Sequence, residues 1–298
     1  MSTSTSNGHR SGVASLTLLL GTAAALCAGL AVSAMNSPAS AQGKIPEFMS
    51  NSGTVGWISA GPFLDPPAGM RGPIRQHPAH PFHGNLDGPG QVTPAIGNHD
   101  DPVLKPWAAA HMKATNDAVL SGRMSLPFTA QSRCYPGGVP GQLLYPIEPM
   151  YFIQTPKQVW MIWQRDQMVR RIYLTDKHSE TVKPTWFGES IGHFENNELV
   201  VDTIGLQTKN KNSYIDNYRT PHSEKLHVTE RYKFVNNGNT LEAFIKVDDS
   251  DAFNEPIYML KRWRKSDNPL LETVCAENNV DQFYQNLTPI PQATKSDF

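Results

Sequence analysis

The chain has 298 residues, of which 26 are Lys or Arg and 27 are Asp or Glu, for a formal net charge of −1. A balance this close to zero, with no Lys/Arg block and no basic stripe interleaved with aromatics, speaks against nucleic acid and anionic membrane surfaces as partners. The length suits one large domain, or one domain with an extended arm, and no internal repeat is present.

The first dozen residues are polar, with Arg10 as their one cation. An apolar run over 13–35 follows, and Ala39-Ser40-Ala41 then offers a small-x-small site ahead of Gln42. This order predicts a Sec-type signal over 1–41, cleaved to release a periplasmic or secreted protein of about 257 residues. A membrane anchor is the rival reading, since the run approaches spanning length. The many Gly and Ala residues and the well-placed cleavage site favour the signal. Lipid attachment at Cys27 is rejected because Leu26 stands where a small residue is needed. No later stretch is apolar enough to span a bilayer, so no membrane span is expected after cleavage. Of the three cysteines, Cys27 leaves with the signal. Cys134 and Cys275 are then expected to pair in an oxidising compartment, two separate buried thiols being the alternative.

Residues 42–104 are rich in Pro, Gly and polar residues, as in Asp87-Gly88-Pro89-Gly90, and read as an extended arm. A helix is predicted over 106–120, where Trp107, Ala110, Met112, Ala114 and Val119 form a ragged apolar stripe. From Leu143 onward short strands follow one another: around Val159 to Trp163, then 169–174, 191–195, 199–204, 226–234, 241–247, 257–263 and 271–275. Asn196-Asn197 and Asn236-Asn237-Gly238-Asn239 are hairpin signals. Eight or nine strands without intervening helices predict a mainly β fold, an antiparallel meander closed into a lipocalin-like β-barrel, with a sandwich as the alternative. The barrel domain is expected over 105–280, with a C-terminal tail over 281–298.

In the strand Leu226-His227-Val228-Thr229-Glu230-Arg231-Tyr232-Lys233-Phe234, alternation puts Glu230 in the middle of the apolar face. A carboxylate there must be paired or protonated. It reads either as a general acid/base facing the barrel interior or as half of an internal ion pair with Arg170 or Arg171. Asp202, between Val200 and Ile204, repeats the pattern, and the two acids are expected to converge in one cavity. His222 and His227 are candidate proton shuttles, Arg231 is a candidate anion partner, and His193 shares a strand face with Glu195. Trp160, Trp163, Tyr232 and Trp263 are candidates to hold a flat apolar ligand, the alternative being ordinary core.

Gly188-Glu189-Ser190-Ile191-Gly192 matches G-x-S-x-G, with Asp202 and His222 following in hydrolase order. The nucleophile elbow needs a strand before the serine and a helix after it, and neither pattern is present here. A metal site from His222, Glu224 and His227 is disfavoured because the histidines fall on opposite strand faces. His77, His80 and His83 are evenly spaced in the arm, where Pro78 and Pro81 keep the segment extended; they read as solvent-exposed, with weak metal affinity as the alternative.

The run Pro184-Thr185-Trp186-Phe187-Gly188-Glu189-Ser190-Ile191-Gly192-His193 stands out, together with Leu199-Val200-Val201-Asp202-Thr203, Pro221-His222-Ser223-Glu224 and Leu226-His227-Val228. With Cys134-Tyr135-Pro136-Gly137-Gly138 and Cys275-Ala276-Glu277-Asn278, this set resembles a large group of uncharacterised exported proteins of proteobacteria and related soil bacteria, over roughly residues 105–280. The resemblance implies periplasmic residence and assigns no activity. Members commonly read Arg-Trp-Glu-Gly-Asp where this chain has His193-Phe194-Glu195-Asn196-Asn197, which sets His193 apart from any shared site.

No dinucleotide fingerprint, P-loop, haem-attachment motif or Cys-rich metal cluster occurs. The expected function is cofactor-free, metal-free acid–base chemistry on a small aromatic or apolar molecule, as a lyase, isomerase or hydrolase. Glu230 and Asp202 would be the central pair. The alternatives are a non-catalytic carrier or scavenger of the same architecture and an interaction protein that uses the arm. The sequence sets no oligomeric state.

Overall fold

The computed structural model describes residues 56–81, 95–121, 134–144, 148–208 and 213–275. The expected signal and its cleavage site, His83, part of the arm and the C-terminal tail lie outside the described residues.

Alternating side chains and tight Asn turns build a nine-stranded sheet that closes in a ring. Its strands are β1 (Gly56–Ser59), β2 (Met150–Gln154), β3 (Gln158–Trp163), β4 (Val169–Tyr173), β5 (Glu189–Glu195), β6 (Glu198–Ile204), β7 (His227–Val235), β8 (Thr240–Asp248) and β9 (Ile257–Ser266). The β5–β6 turn places Asn196 and Asn197 at φ 49° and 63°, and Asn236, Asn237 and Gly238 in the β7–β8 turn also have positive φ. Asn and Gly tolerate this left-handed region best.

Two strands come from outside the predicted set. β1 belongs to the segment read as arm, and it closes the ring by pairing antiparallel with both β2 and β9. Beyond it the arm stays on the ring, since Leu64 and Leu260 exchange backbone hydrogen bonds and Tyr258 N–H donates to Arg71 O. Conversely, 271–275 forms only an isolated bridge, Arg165 to Thr273. The meander is also not wholly antiparallel, because β4 and β5 pair in parallel through Ile172–Ser190 and Tyr173–Ile191. Parallel neighbours need a return connection, here residues 174–188.

The helix α1 (Pro106–Leu120) starts on Pro106, whose fixed φ suits a first helical turn. It buries Ala108, Met112, Asn116 and Val119, so its buried stripe is shifted from the predicted one, and Trp107 is exposed. Among the described residues no helix is long and apolar enough to cross a membrane.

The inner face of the ring is filled by side chains. Trp57, Phe152, Met161, Trp163, Ile172, Val201, Tyr232, Ile245, Met259 and Trp263 are all buried. Tyr232 packs between Phe152 and Trp263, with ring centroids 6.3 and 6.2 Å away. A disulfide joins Cys134 to Cys275.

Candidate functional site

β6 and β7 pair with Val201 opposite Glu230 and Asp202 opposite Thr229. Paired residues share a face, so Glu230 points into the ring and Asp202 points out of it. The cavity expected to hold both carboxylates is therefore not formed. The apolar neighbours Val200 and Ile204 mark an outer face partly covered by the chain, which alternation alone does not separate from an inner one.

Inside, Glu230 is fully buried and paired with Arg170. Arg170 Nη1 donates to Glu230 Oε1 at 3.0 Å and Nη2 donates to Oε2. The rest of the guanidinium is satisfied by Ser190 Oγ (3.1 Å) and Thr203 Oγ1 (2.9 Å), and Tyr232 O–H donates to Glu230 Oε1 at 2.6 Å. Burial works against the Arg170 cation, but the adjacent Glu230 carboxylate outweighs it and raises the pKa. Burial, with the Glu230 charge added, lifts the Tyr232 phenol well above its ordinary value. Ser190 is thus tied to the ion pair, away from outward-facing Asp202. Trp163, Trp263 and Tyr232 are core residues.

Outside, Asp202 bridges two histidines. His178 Nε2 lies 2.8 Å from Asp202 Oδ1, and His227 Nε2 lies 2.6 Å from Oδ2. His178 Nδ1 is in turn 3.0 Å from Glu189 Oε1. Ser179 holds Glu189 with its N–H (2.8 Å) and Oγ–H (2.5 Å). The result is a continuous chain, Glu189–His178–Asp202–His227. Both ring nitrogens of His178 face carboxylates.

Burial works to raise the Asp202 pKa, but hydrogen bonds from His227 and His178 outweigh it and the net shift is downward. His227 is shifted upward, chiefly by its hydrogen bond to Asp202. Glu189 is shifted downward, chiefly by the Ser179 hydroxyl. His227, at the far end, is 44% exposed.

The parallel step delivers this chain. The β4–β5 connection returns across the outer face and is pinned by Thr185 N–H to Gly205 O (3.1 Å) and Gln207 N–H to Thr185 O (2.9 Å). It ends at Gly188, with φ 62°, where a Cβ would stand 2.3 Å from Ile204 O. Only glycine fits there, and Glu189 starts the next strand. Beside it lies a groove of about 600 Å³ lined by Lys157, Gln158, Tyr173, Leu174, Ser179, Glu189 and Ile191, with Thr175 and Lys177. Glu189 and Ser179 are among the groove's polar lining residues, so the chain runs from groove to exposed surface.

No protein-family model and no curated protein matches the chain.

Of the other sequence candidates, Arg231 is committed to Glu198 (2.7 Å) and Glu195 (2.6 Å). It sits about 13 Å along β7 from His227. His193 is exposed and faces Glu195 at 3.6 Å. Trp160 lies half-buried on the outer face, with the Arg171 guanidinium 5.2 Å from its ring. His222 is buried away from Asp202, with Nε2 2.8 Å from Ser213 Oγ. In the arm, His77 is buried rather than exposed. His77, His99 and Asp100 come close enough together to hold a metal ion. However, His77 Nδ1 accepts from Ala79 N–H and His99 Nδ1 faces the Asn116 amide nitrogen, so both Nε2 atoms carry hydrogen toward Asp100. A metal-bound ring would need the opposite tautomer.

Sequence reasoning missed His178, Ser179 and Lys177, which lie in a connection without periodicity. Glu189 was within reach, since it shares a strand face with Ile191. So was Lys261, which shares a strand face with Met259 and Trp263. It is buried, donates to Ser59 Oγ and Gly61 O, and burial pushes it down to about 8.

Proposed function

We propose that this chain is an exported acid–base catalyst acting on a small apolar or aromatic molecule, with Glu189 and the Asp202-bridged histidines as its proton-handling groups. The observation that carries this reading is the unbroken Glu189–His178–Asp202–His227 chain, which ends in a groove at Glu189 and at the surface at His227. Glu189 takes a proton from, or returns one to, a molecule in the groove. Each shift along the chain passes the charge outward, and His227 exchanges it with water. In each shift Asp202 takes the proton from His178 and passes it to His227 Nε2, so it is protonated in passing; between shifts it keeps both imidazoles oriented and favours the charged form of His227.

The groove suggests the substrate class. Tyr173, Leu174 and Ile191 supply an apolar surface, and Lys157 and Lys177 supply positive charge. A molecule with an apolar or aromatic body and a carboxylate fits both. Proton transfer at a carbon next to that carboxylate, as in a lyase or isomerase, is the chemistry such a group serves. The ring is read as a lipocalin-like β-barrel in which catalysis has moved to the outer wall. A carrier that used the interior would have to displace the buried Trp163, Trp263 and Tyr232. The Cys134–Cys275 disulfide supports residence in an oxidising compartment.

The test is proton exchange in D2O. A panel of aryl and alkyl carboxylic acids is incubated with the protein, and loss of the carbon-bound proton is followed by NMR. Wild-type protein is expected to accelerate exchange for at least one member. Glu189→Gln should slow it about 10²–10⁴-fold, and equal rates in the two proteins would refute the assignment.

A further inference from the structure

Ser213 and His222 share no residue with the Asp202 chain, and their geometry has its own chemical content. His222 Nδ1 lies 2.9 Å from Ser223 O, a carbonyl that can only accept, so Nδ1 carries hydrogen. In the neutral ring Nε2 is then a lone-pair acceptor, and Ser213 Oγ–H donates to it across 2.8 Å. Burial pushes the His222 pKa down, against the hydrogen bond to Ser223 and the charge of Asp249, which keeps that neutral form available. The orienting carbonyl is itself fixed. Ser223 N–H donates to Asp249 Oδ2 (2.6 Å) and Ser223 Oγ–H to Oδ1 (2.7 Å), and Asp249 is anchored by the Asp251 and Ala252 N–H groups. Hydroxyl, imidazole and orienting acceptor thus follow the order of a nucleophile, its base and the group that sets the base's tautomer.

We propose that Ser213 is a nucleophile activated by His222, for acyl transfer from small esters with an aromatic or other apolar part. Ser213 Oγ attacks the ester carbonyl carbon while its proton passes to His222 Nε2. The bond from carbonyl carbon to alcohol oxygen breaks, and His222 returns the proton to the departing alkoxide. Water then attacks the acyl-serine, giving its proton to His222, and the carboxylic acid leaves as Ser213 regains a proton.

Ser213 is half-buried beside Gly138, where a Cβ would stand 3.9 Å from Ser213 Oγ and 3.2 Å from Trp186 O. At φ 68° Gly138 keeps that approach clear of a side chain. Trp186, whose carbonyl lies against Gly138, stacks its ring on that of Tyr135, with centroids 5.4 Å apart, and Tyr135 is exposed. This gives a flat apolar surface next to the hydroxyl.

The full chain is treated with a short-chain alkyl fluorophosphonate, in which the serine oxygen displaces fluoride from phosphorus, and the adduct is located by peptide mass mapping. A single adduct on Ser213 is expected, absent in Ser213→Ala. His222→Gln, with unchanged circular dichroism, should form it at least 100-fold more slowly. An unlabelled wild-type protein, or an adduct on another residue, overturns the proposal. So does labelling of His222→Gln at the wild-type rate.

Discussion

Glu230 accepts two N–H bonds from Arg170 and an O–H bond from Tyr232, in a site with no exposed surface. Glu230→Gln keeps the shape but leaves a buried guanidinium without its counter-charge, a change that typically costs about 3–5 kcal/mol. Urea denaturation should show that loss, and an unchanged midpoint would contradict the internal ion pair. Of the two partners open in the sequence, the structure selects Arg170, because only the inward-facing residue of the Arg170–Arg171 pair can reach Glu230. Asp202 was less legible. Its strand has Leu199, Val201 and Thr203 on one face and Val200, Ile204 and Asp202 on the other, and both faces are largely apolar. A period of two separates the faces but does not say which turns inward.

At the scale of elements, the hairpins could be read from Asn196-Asn197 and from Asn236-Asn237-Gly238, because few residues accept those backbone angles. β1 and β2 could not be placed this way. β1 has four residues inside a Pro- and Gly-rich segment, and its strand character comes from partners more than 90 residues away, as in the Trp57–Met150 and Trp57–Lys265 pairs. The parallel β4–β5 step was hidden because alternation along a strand does not report the direction of its neighbour, and with it the connection that carries His178 and Ser179 to the candidate site. Gly188 is the hinge of that connection. Gly188→Ala combines a left-handed backbone with a Cβ driven into Ile204 O, and a loss of about 1–3 kcal/mol is expected. Proton exchange in the groove should fall with it, because Glu189 is the next residue. Wild-type stability in that variant, read by thermal denaturation, would show that the turn tolerates a side chain.

At the scale of the molecule, two devices tie distant parts together. β1 closes the ring between β2 and β9, and the Cys134–Cys275 disulfide spans 141 positions. In the chain-entropy account a closed loop of that length stabilises by about 4–5 kcal/mol. Replacing both cysteines with serine should lower the urea midpoint accordingly, and an equal midpoint would place the constraint elsewhere.

The outer chain of acids and imidazoles also sets a pH signature. The Asp202 pKa is lowered from 3.8, so its contribution is present above that value and is lost as pH falls through the lower folded value. The His227 pKa is raised from 6.5, so its contribution is complete below 6.5 and is lost as pH rises through the higher folded value. The chain is therefore most stabilising between those limits, in mildly acidic solution. The direct test is an NMR titration of the His227 ring in wild type and in Asp202→Asn. The account predicts a midpoint above 6.5 in wild type that drops in the variant. A wild-type midpoint at or below 6.5, or one unmoved by the substitution, would contradict it.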